Sequence, residues 1–302
     1  MRIARWLRRR RALRRRFNPY VVGTPVFDGS LLFGREQLTA RILALLASRS
    51  VWLTGEHRIG KTSLLHHLQK VLTFEAGERR LLPVFVDLEA ALPARLSRVL
   101  MEETVETLAL QPGTLGLRID GGCDGYHARD LVHDVKRVVG DLRARTRADA
   151  RIVFLVDEVD AVLPDTEPDA EPWLVGLLED CSGEARVVLA GVSGKQGRPG
   201  GARRERSRLE HLVLEPLHPD DARALVTKPV AACFRYEPRA VDRIVQLAEG
   251  RPYLLQKLCV HALNHMLDEG RTIIRLADVD AVAGLEATAS PWRSAPGAAR
   301  SA

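Results

Sequence analysis

At 302 residues, 46% hydrophobic and 28% charged, the chain has the composition of a soluble globular protein, with room for one large α/β domain and one small one. No apolar run approaches the ~18 residues a membrane-spanning helix needs. The four cysteines, Cys123, Cys181, Cys233 and Cys259, form no Cys-x-x-Cys pair and show no metal-site spacing, so they read as reduced, packed thiols of a cytoplasmic protein.

The net charge of +6 is concentrated at the N-terminus. Nine arginines, Arg2 to Arg16, precede the first acid, Asp28, and removing them from the total leaves −3, so the body is not a nucleic-acid binder by bulk charge. Within residues 1–17, Ile3, Trp6, Leu7, Leu13 and Phe17 interleave with the arginines at roughly helical spacing. Two readings of this basic tail stay open: a segment lying on nucleic acid, an anionic membrane or an acidic partner, and a solvated leader. No apolar core of about 7–15 residues follows it, so a secretory signal is not expected.

From Asn18 to Phe33 prolines and glycines punctuate the chain, which predicts an extended linker. A helix follows Gly34-Arg35-Glu36, with Leu38, Ile42, Leu43 and Leu46 as its apolar stripe. Next come the apolar run Ser50 to Thr54 and then Gly55-Glu56-His57-Arg58-Ile59-Gly60-Lys61-Thr62, continuing helically from Ser63 to Leu72. Strand, G-x-x-x-x-G-K-[ST] and helix in that order make a phosphate-binding loop. Its glycines let successive N–H groups face one anion, the helix N-terminus points at the same place, Lys61 adds a point charge, and Thr62 offers a hydroxyl to Mg²⁺.

A second strand, Leu82 to Val86, ends in Asp87; helices over about 94–110 and 130–143 flank a glycine-rich loop over 111–126. The third strand, Ile152 to Val156, is apolar at every position, the habit of a parallel strand covered on both faces, and runs into Asp157-Glu158-Val159-Asp160. After a helix near 173–180, a fourth strand over 187–190 leads to Gly191-Val192-Ser193, and a fifth spans about 211–214. Between these two strands lies a basic, glycine-containing loop bearing Arg203, Arg204, Arg206 and Arg208. Alternating strands and helices predict a parallel sheet. Beyond Pro216 only helices are expected, near 219–230, 238–249, 252–267 and 277–282, with Ile273-Ile274 as an extended link. The expected domains are thus a basic tail (1–17), a nucleotide-binding domain with its N-terminal linker (18–215), a small helical domain (216–284) and a disordered tail (285–302).

In-line attack of water on a γ-phosphate needs a phosphate cradle, a bridging metal and a group that orients water. Lys61 and Glu158 are the candidates for direct participation. Thr62 and Asp157 are the candidate Mg²⁺ ligands, with Glu158 orienting the water. An acidic pair after a strand can equally cap a helix. Asp160 is the weaker candidate for this chemistry, and a cap of the following turn explains it as well. Ser193 fits both contact with the γ-phosphate and a plain strand-end turn. The loop arginines fit both a finger reaching a neighbouring subunit's nucleotide and a solvated face.

These residues resemble the STAND branch of AAA+-like P-loop ATPases in its bacterial form. Phe33-Gly34-Arg35-Glu36 looks like the family's G-R-E box, and Asn18 to Val26 is similar to its lead-in. Gly60-Lys61-Thr62-Ser63-Leu64-Leu65, Leu155-Val156-Asp157-Glu158 and Gly250-Arg251-Pro252 complete the set, the last matching the family's G-x-P motif. The resemblance covers about residues 18–285. It implies an α/β P-loop NTPase fold with a parallel sheet ordered 5-1-4-3-2 and a C-terminal helical lid. It also implies ATP and Mg²⁺ as cofactors, nucleotide contacts from Gly55 through Ser63 and from Arg35, Arg251 and Pro252, and a nucleotide-controlled switch that often ends in oligomerisation. The family's winged helix, sensor repeats and effector have no counterpart in these residues, so the output is expected from a second copy, a separate effector or sensor protein, or the arginine tail. Two other functions remain open: a nucleic-acid-acting helper ATPase gripping phosphates through residues 1–17, and a non-hydrolysing nucleotide-binding scaffold.

Overall fold

A computed structural model describes residues 16–74, 79–89, 91–111, 113–121, 125–162, 171–192 and 209–289. They form two compact units, one spanning Pro25–Glu215, the other joining the stretch up to Thr24 with the chain from Pro216 onward.

The first unit is built on α1 (Glu36–Leu46), β1 (Ser50–Gly55), α2 (Lys61–Phe74), β2 (Arg79–Asp87), α3 (Leu96–Thr107), α4 (Ala128–Thr146) and β3 (Asp149–Asp157). A short α5 (Pro172–Val175), running into a π-helical turn at Gly176–Asp180, precedes β4 (Ala185–Val192) and β5 (Leu209–Leu214). All pairings are parallel, in the order β2-β3-β4-β1-β5, which is the expected 5-1-4-3-2. Strand periodicity distributes the core: Val51, Leu53, Val153, Leu155, Val188 and Ala190 face one side with Ile42 and Leu46 of α1 and Leu64, Leu65 and Leu68 of α2. Trp52, Val84, Val86, Phe154, Val156 and Leu189 face the other with Leu100 of α3, Val135 and Val138 of α4, and Trp173 of α5. This double coverage is why the strands lack polar alternation. It also leaves the carboxyl ends of β1, β3 and β4 as the place where polar groups can gather.

The segment read as a glycine-rich loop over 111–126 contains a 3₁₀ turn at Arg118–Gly121. Asp134 of α4, fully buried, accepts the N–H groups of Arg118 (2.9 Å) and Ile119 (3.1 Å) and the Tyr126 hydroxyl (3.1 Å). Burial and the Asp134 charge push the Tyr126 phenol far up, so it remains a donor. The second strand begins three residues before its expected start, because Arg79, Arg80 and Leu81 pair with Asp149, Ala150 and Arg151 of β3.

In the second unit α6 (Pro219–Thr227), α7 (Pro238–Ala248) and α8 (Pro252–Asp268) each start on a proline, whose missing N–H costs nothing there. α9 (Leu276–Ala289) runs past residue 285, where the sequence places the start of an unstructured tail. Two-residue strands, β6 (Arg235–Tyr236) and β7 (Ile273–Ile274), form a parallel pair, so the expected extended link has a partner. Residues 18–21, read as part of the nucleotide-binding domain's linker, bond along α8 instead. Asn18 Nδ2 donates to Val260 O (3.1 Å) and Asn264 Oδ1 (3.0 Å), Val21 N to Gln256 Oε1 (3.2 Å), and the Tyr20 hydroxyl to Val226 O of α6. Gly250 has φ +73°, and a Cβ there would lie 2.4 Å from Leu217 O. Gly250-Arg251-Pro252 therefore has a local reason: a close approach, then a helix start. Cys181 and Cys259 are free buried thiols, pushed up to about 12 by burial. Among the described residues, no helix is long and apolar enough to cross a membrane.

Candidate nucleotide-binding site

β1 delivers the chain into Gly55, where a Cβ would meet Ile59 Cγ2 and Leu214 O at 2.9 Å, so only glycine lets the loop turn back at once. Arg58 (φ 59°) and Gly60 (φ +103°) complete the reversal, and α2 starts at Lys61. Glu56, His57 and Arg58 hold their side chains in solvent while Ile59 is buried. The loop thus offers backbone N–H groups, and the first N–H groups of α2 have no intrahelical partner.

Lys61 is 6% exposed, its ammonium donating to Gly55 O (3.2 Å) and Glu56 O (3.1 Å). Burial draws its pKa down, while the charges of Glu158, Asp157 and Asp160 act in the other direction. Arg35 is buried, with Nη2 3.5 Å from Ile59 O, bracing the loop from behind. The Ser63 hydroxyl accepts the N–H of Val26 (3.0 Å), tying the incoming segment to the first turn of α2.

Across the sheet β3 ends in Asp157, 2% exposed, whose carboxylate accepts the Thr62 hydroxyl and the N–H of Glu158 (3.0 Å). Burial raises its pKa, and the charge of Asp87, its register partner on β2, raises it further. Glu158 has φ 52° and ψ 40°, a left-handed conformation that non-glycine residues seldom hold. Burial, then the Asp157 charge, raises its pKa, while Lys61 opposes the shift.

The structure thus brings together Gly55 to Ser63, Arg35, Asp157 and Glu158. Ser193 and the loop arginines Arg203, Arg204, Arg206 and Arg208 lie outside the described residues. Arg251 and Pro252 belong to the second unit, where Arg251 pairs with Glu249 at 2.7 Å and Pro252 opens α8. Asp160, read as a local cap, instead accepts the N–H of Val192 at the end of β4 (2.5 Å). Asp87 carries no role in the sequence reading. The signal was present: Val84-Phe85-Val86-Asp87 and Phe154-Leu155-Val156-Asp157 are two apolar strands ending alike, and neighbouring parallel strands in register place those carboxylates side by side.

The residues fit a nucleotide and its cation. The loop is a cradle that a Cβ at Gly55 would disrupt, and Thr62 and Asp157 supply hard oxygen donors. A cation held by these two oxygens would share its remaining ligands with phosphate and water, the habit of Mg²⁺. Held by Thr62 and Asp157, Mg²⁺ would neutralise phosphate charge.

The profile of the novel STAND NTPase 1 family matches residues 26–290. No curated protein matches. Among solved structures the fold is similar to the Aeropyrum pernix ORC1 protein in complex with DNA, at 18% identity, TM-score 0.55, covering 84% of this chain and 66% of that one. It is also similar to Drosophila ORC bound to DNA, at 14% identity, TM-score 0.55, 96% and 69% covered. Cdc6p from Pyrobaculum aerophilum matches at 15% identity, TM-score 0.51, 83% and 69% covered. Phosphate loop, strand order and family profile agree: this chain belongs to the novel STAND NTPase 1 family.

Proposed function

We propose that this chain is an ATPase switch: it binds Mg·ATP through Lys61, Thr62 and Asp157, directs water with Glu158, and changes its assembly, with itself or a separate effector or sensor protein, according to nucleotide state. One observation carries the reading. The buried Asp157 carboxylate meets the Thr62 hydroxyl, the charges of Asp157 and Glu158 act on the phosphate-loop lysine, and burial raises the pKa of both acids. A raised pKa brings Glu158 toward the range useful for accepting a proton from water. Arg251 and Pro252 are assigned nucleotide contacts on their motif alone, and Ser193 on its place in the sequence after the fourth strand.

The test is ATP binding, turnover and particle size for the native chain, Lys61→Ala and Glu158→Gln. The proposal expects Lys61→Ala to lose binding. It expects Glu158→Gln to bind ATP, to cease turnover, and to hold the ATP-dependent assembly. Native affinity in Lys61→Ala would refute the binding site, and native turnover in Glu158→Gln would refute the water-directing role. A second reading, a nucleic-acid-acting helper ATPase, is favoured by the nine arginines of residues 2–16. It predicts nucleic-acid affinity that falls steeply with salt and vanishes on deleting the tail.

A further inference from the structure

Glu158 holds a strained backbone, and something must keep it there. Two local bonds help: its own N–H donates to Asp157 Oδ1 (3.0 Å), and its carbonyl accepts from Ala161 N (3.0 Å) across the 3₁₀ turn Val159–Ala161. The first reaches back only to the end of β3 and the second stays within the turn, so neither ties it to the neighbouring β4. Asp160 does. Its Oδ2 accepts the N–H of Val192, 32 residues along the chain and at the carboxyl end of β4, at 2.5 Å.

The surroundings are shaped for this contact. Gly191 lies so close that a Cβ there would be 3.0 Å from both Asp160 oxygens and 3.0 Å from Val159 Cγ2. Asp160 Oδ1 is buried and has no hydrogen-bond partner among the described residues. An aspartate serving only to cap its own turn would keep its second oxygen in water. Here the carboxylate is held against the end of β4 despite an unsatisfied oxygen, and a glycine makes the space.

We propose that Asp160 is a positioning residue for Glu158: by gripping the end of β4 it locks the turn that holds Glu158 in its left-handed conformation and aims its carboxylate. The inference rests on the ATPase reading above. It assigns Asp160 no contact with nucleotide, and it makes Gly191 the residue that admits the lock.

The experiment measures ATP turnover, ATP affinity and melting temperature in the full chain for Asp160→Ala, Asp160→Asn, Gly191→Ala, the Asp160→Ala/Gly191→Ala pair and Asp160→Ala in a Glu158→Gln background. Asp160→Ala is expected to lower kcat on the order of 10- to 100-fold, the scale of a misplaced reacting group, with ATP affinity and melting temperature near native. Asp160→Asn keeps an oxygen for Val192 N and is expected to recover most of the loss. Gly191→Ala should act like Asp160→Ala, with the double variant no worse than either single one, since both break one contact. With Glu158 already replaced, losing Asp160 should change nothing further. Native kcat in Asp160→Ala, or equal loss in the Asn and Ala variants, overturns the inference while the ATPase reading stands. A parallel fall in affinity and melting temperature also overturns it, leaving Asp160 as a fold element. A native chain that does not turn over ATP overturns both.

Discussion

Two buried aspartates, one in each unit, are put to opposite uses. Asp278 of α9, 1% exposed, is surrounded by donors: Arg271 grips both of its oxygens, His265 Nδ1 lies at 2.7 Å, and Arg275 N donates at 2.7 Å. Burial alone would raise its pKa, but these partners hold it below the ordinary carboxylate value. Asp157, 2% exposed, accepts a hydroxyl and one backbone N–H and feels the Lys61 charge, but with a second carboxylate beside it these do not offset burial, and its pKa is raised. Near-equal exposure, with deeper surroundings and fewer donors at Asp157, separates an acid surrounded by partners from one whose charge is incompletely matched. A cation supplied with the nucleotide would make up that shortfall.

The comparison breaks most readily at Asp278. Removing Arg271 leaves a buried carboxylate without its main partner, so Arg271→Ala should destabilise the second unit by about 3 kcal/mol, read from urea unfolding followed by circular dichroism. Asp278→Asn should cost somewhat less, about 2 kcal/mol, because the amide still accepts one bond. Its deficit must shrink in acid. A folded pKa below the unfolded 3.8 gives stability that is complete above that value and is lost as pH falls through the folded one. His265, whose side chain is 42% exposed, should matter least there, about 0.5–1 kcal/mol in His265→Ala. Asp157 should behave in the reverse sense. With its folded pKa raised, its ionised form opposes folding, so Asp157→Asn without nucleotide should be as stable as the native chain or more so. A loss comparable to that of Asp278→Asn would erase the distinction.

Much of the first unit was legible because its signals are local. A glycine loop between strand and helix, and strands apolar at every position, can be read from adjacent residues. What escaped is set by partners far along the chain. The start of β2 depends on β3, Tyr236 pairs with Ile274, residues 18–21 follow α8, and Asp160 reaches Val192 rather than its own turn. Asp134 looks like any polar residue on an amphipathic helix until the 3₁₀ turn at Arg118–Gly121 is placed above it. In the candidate site, Gly55 to Thr62 and Asp157-Glu158 declared themselves by spacing, whereas Glu158's strain and the role of Gly191 exist only once two strand ends are side by side.

The most direct test of the central claim, that Asp157 is kept for a nucleotide-borne cation, is the melting temperature of the native chain and Asp157→Asn with ATP, each with and without Mg²⁺. Binding at 100-fold over Kd is worth about 2.7 kcal/mol, so Mg·ATP should raise the native melting temperature by several degrees. Asp157→Asn should start at least as high and gain nothing from adding Mg²⁺ to ATP. An equal Mg²⁺-dependent rise in both proteins would contradict the account.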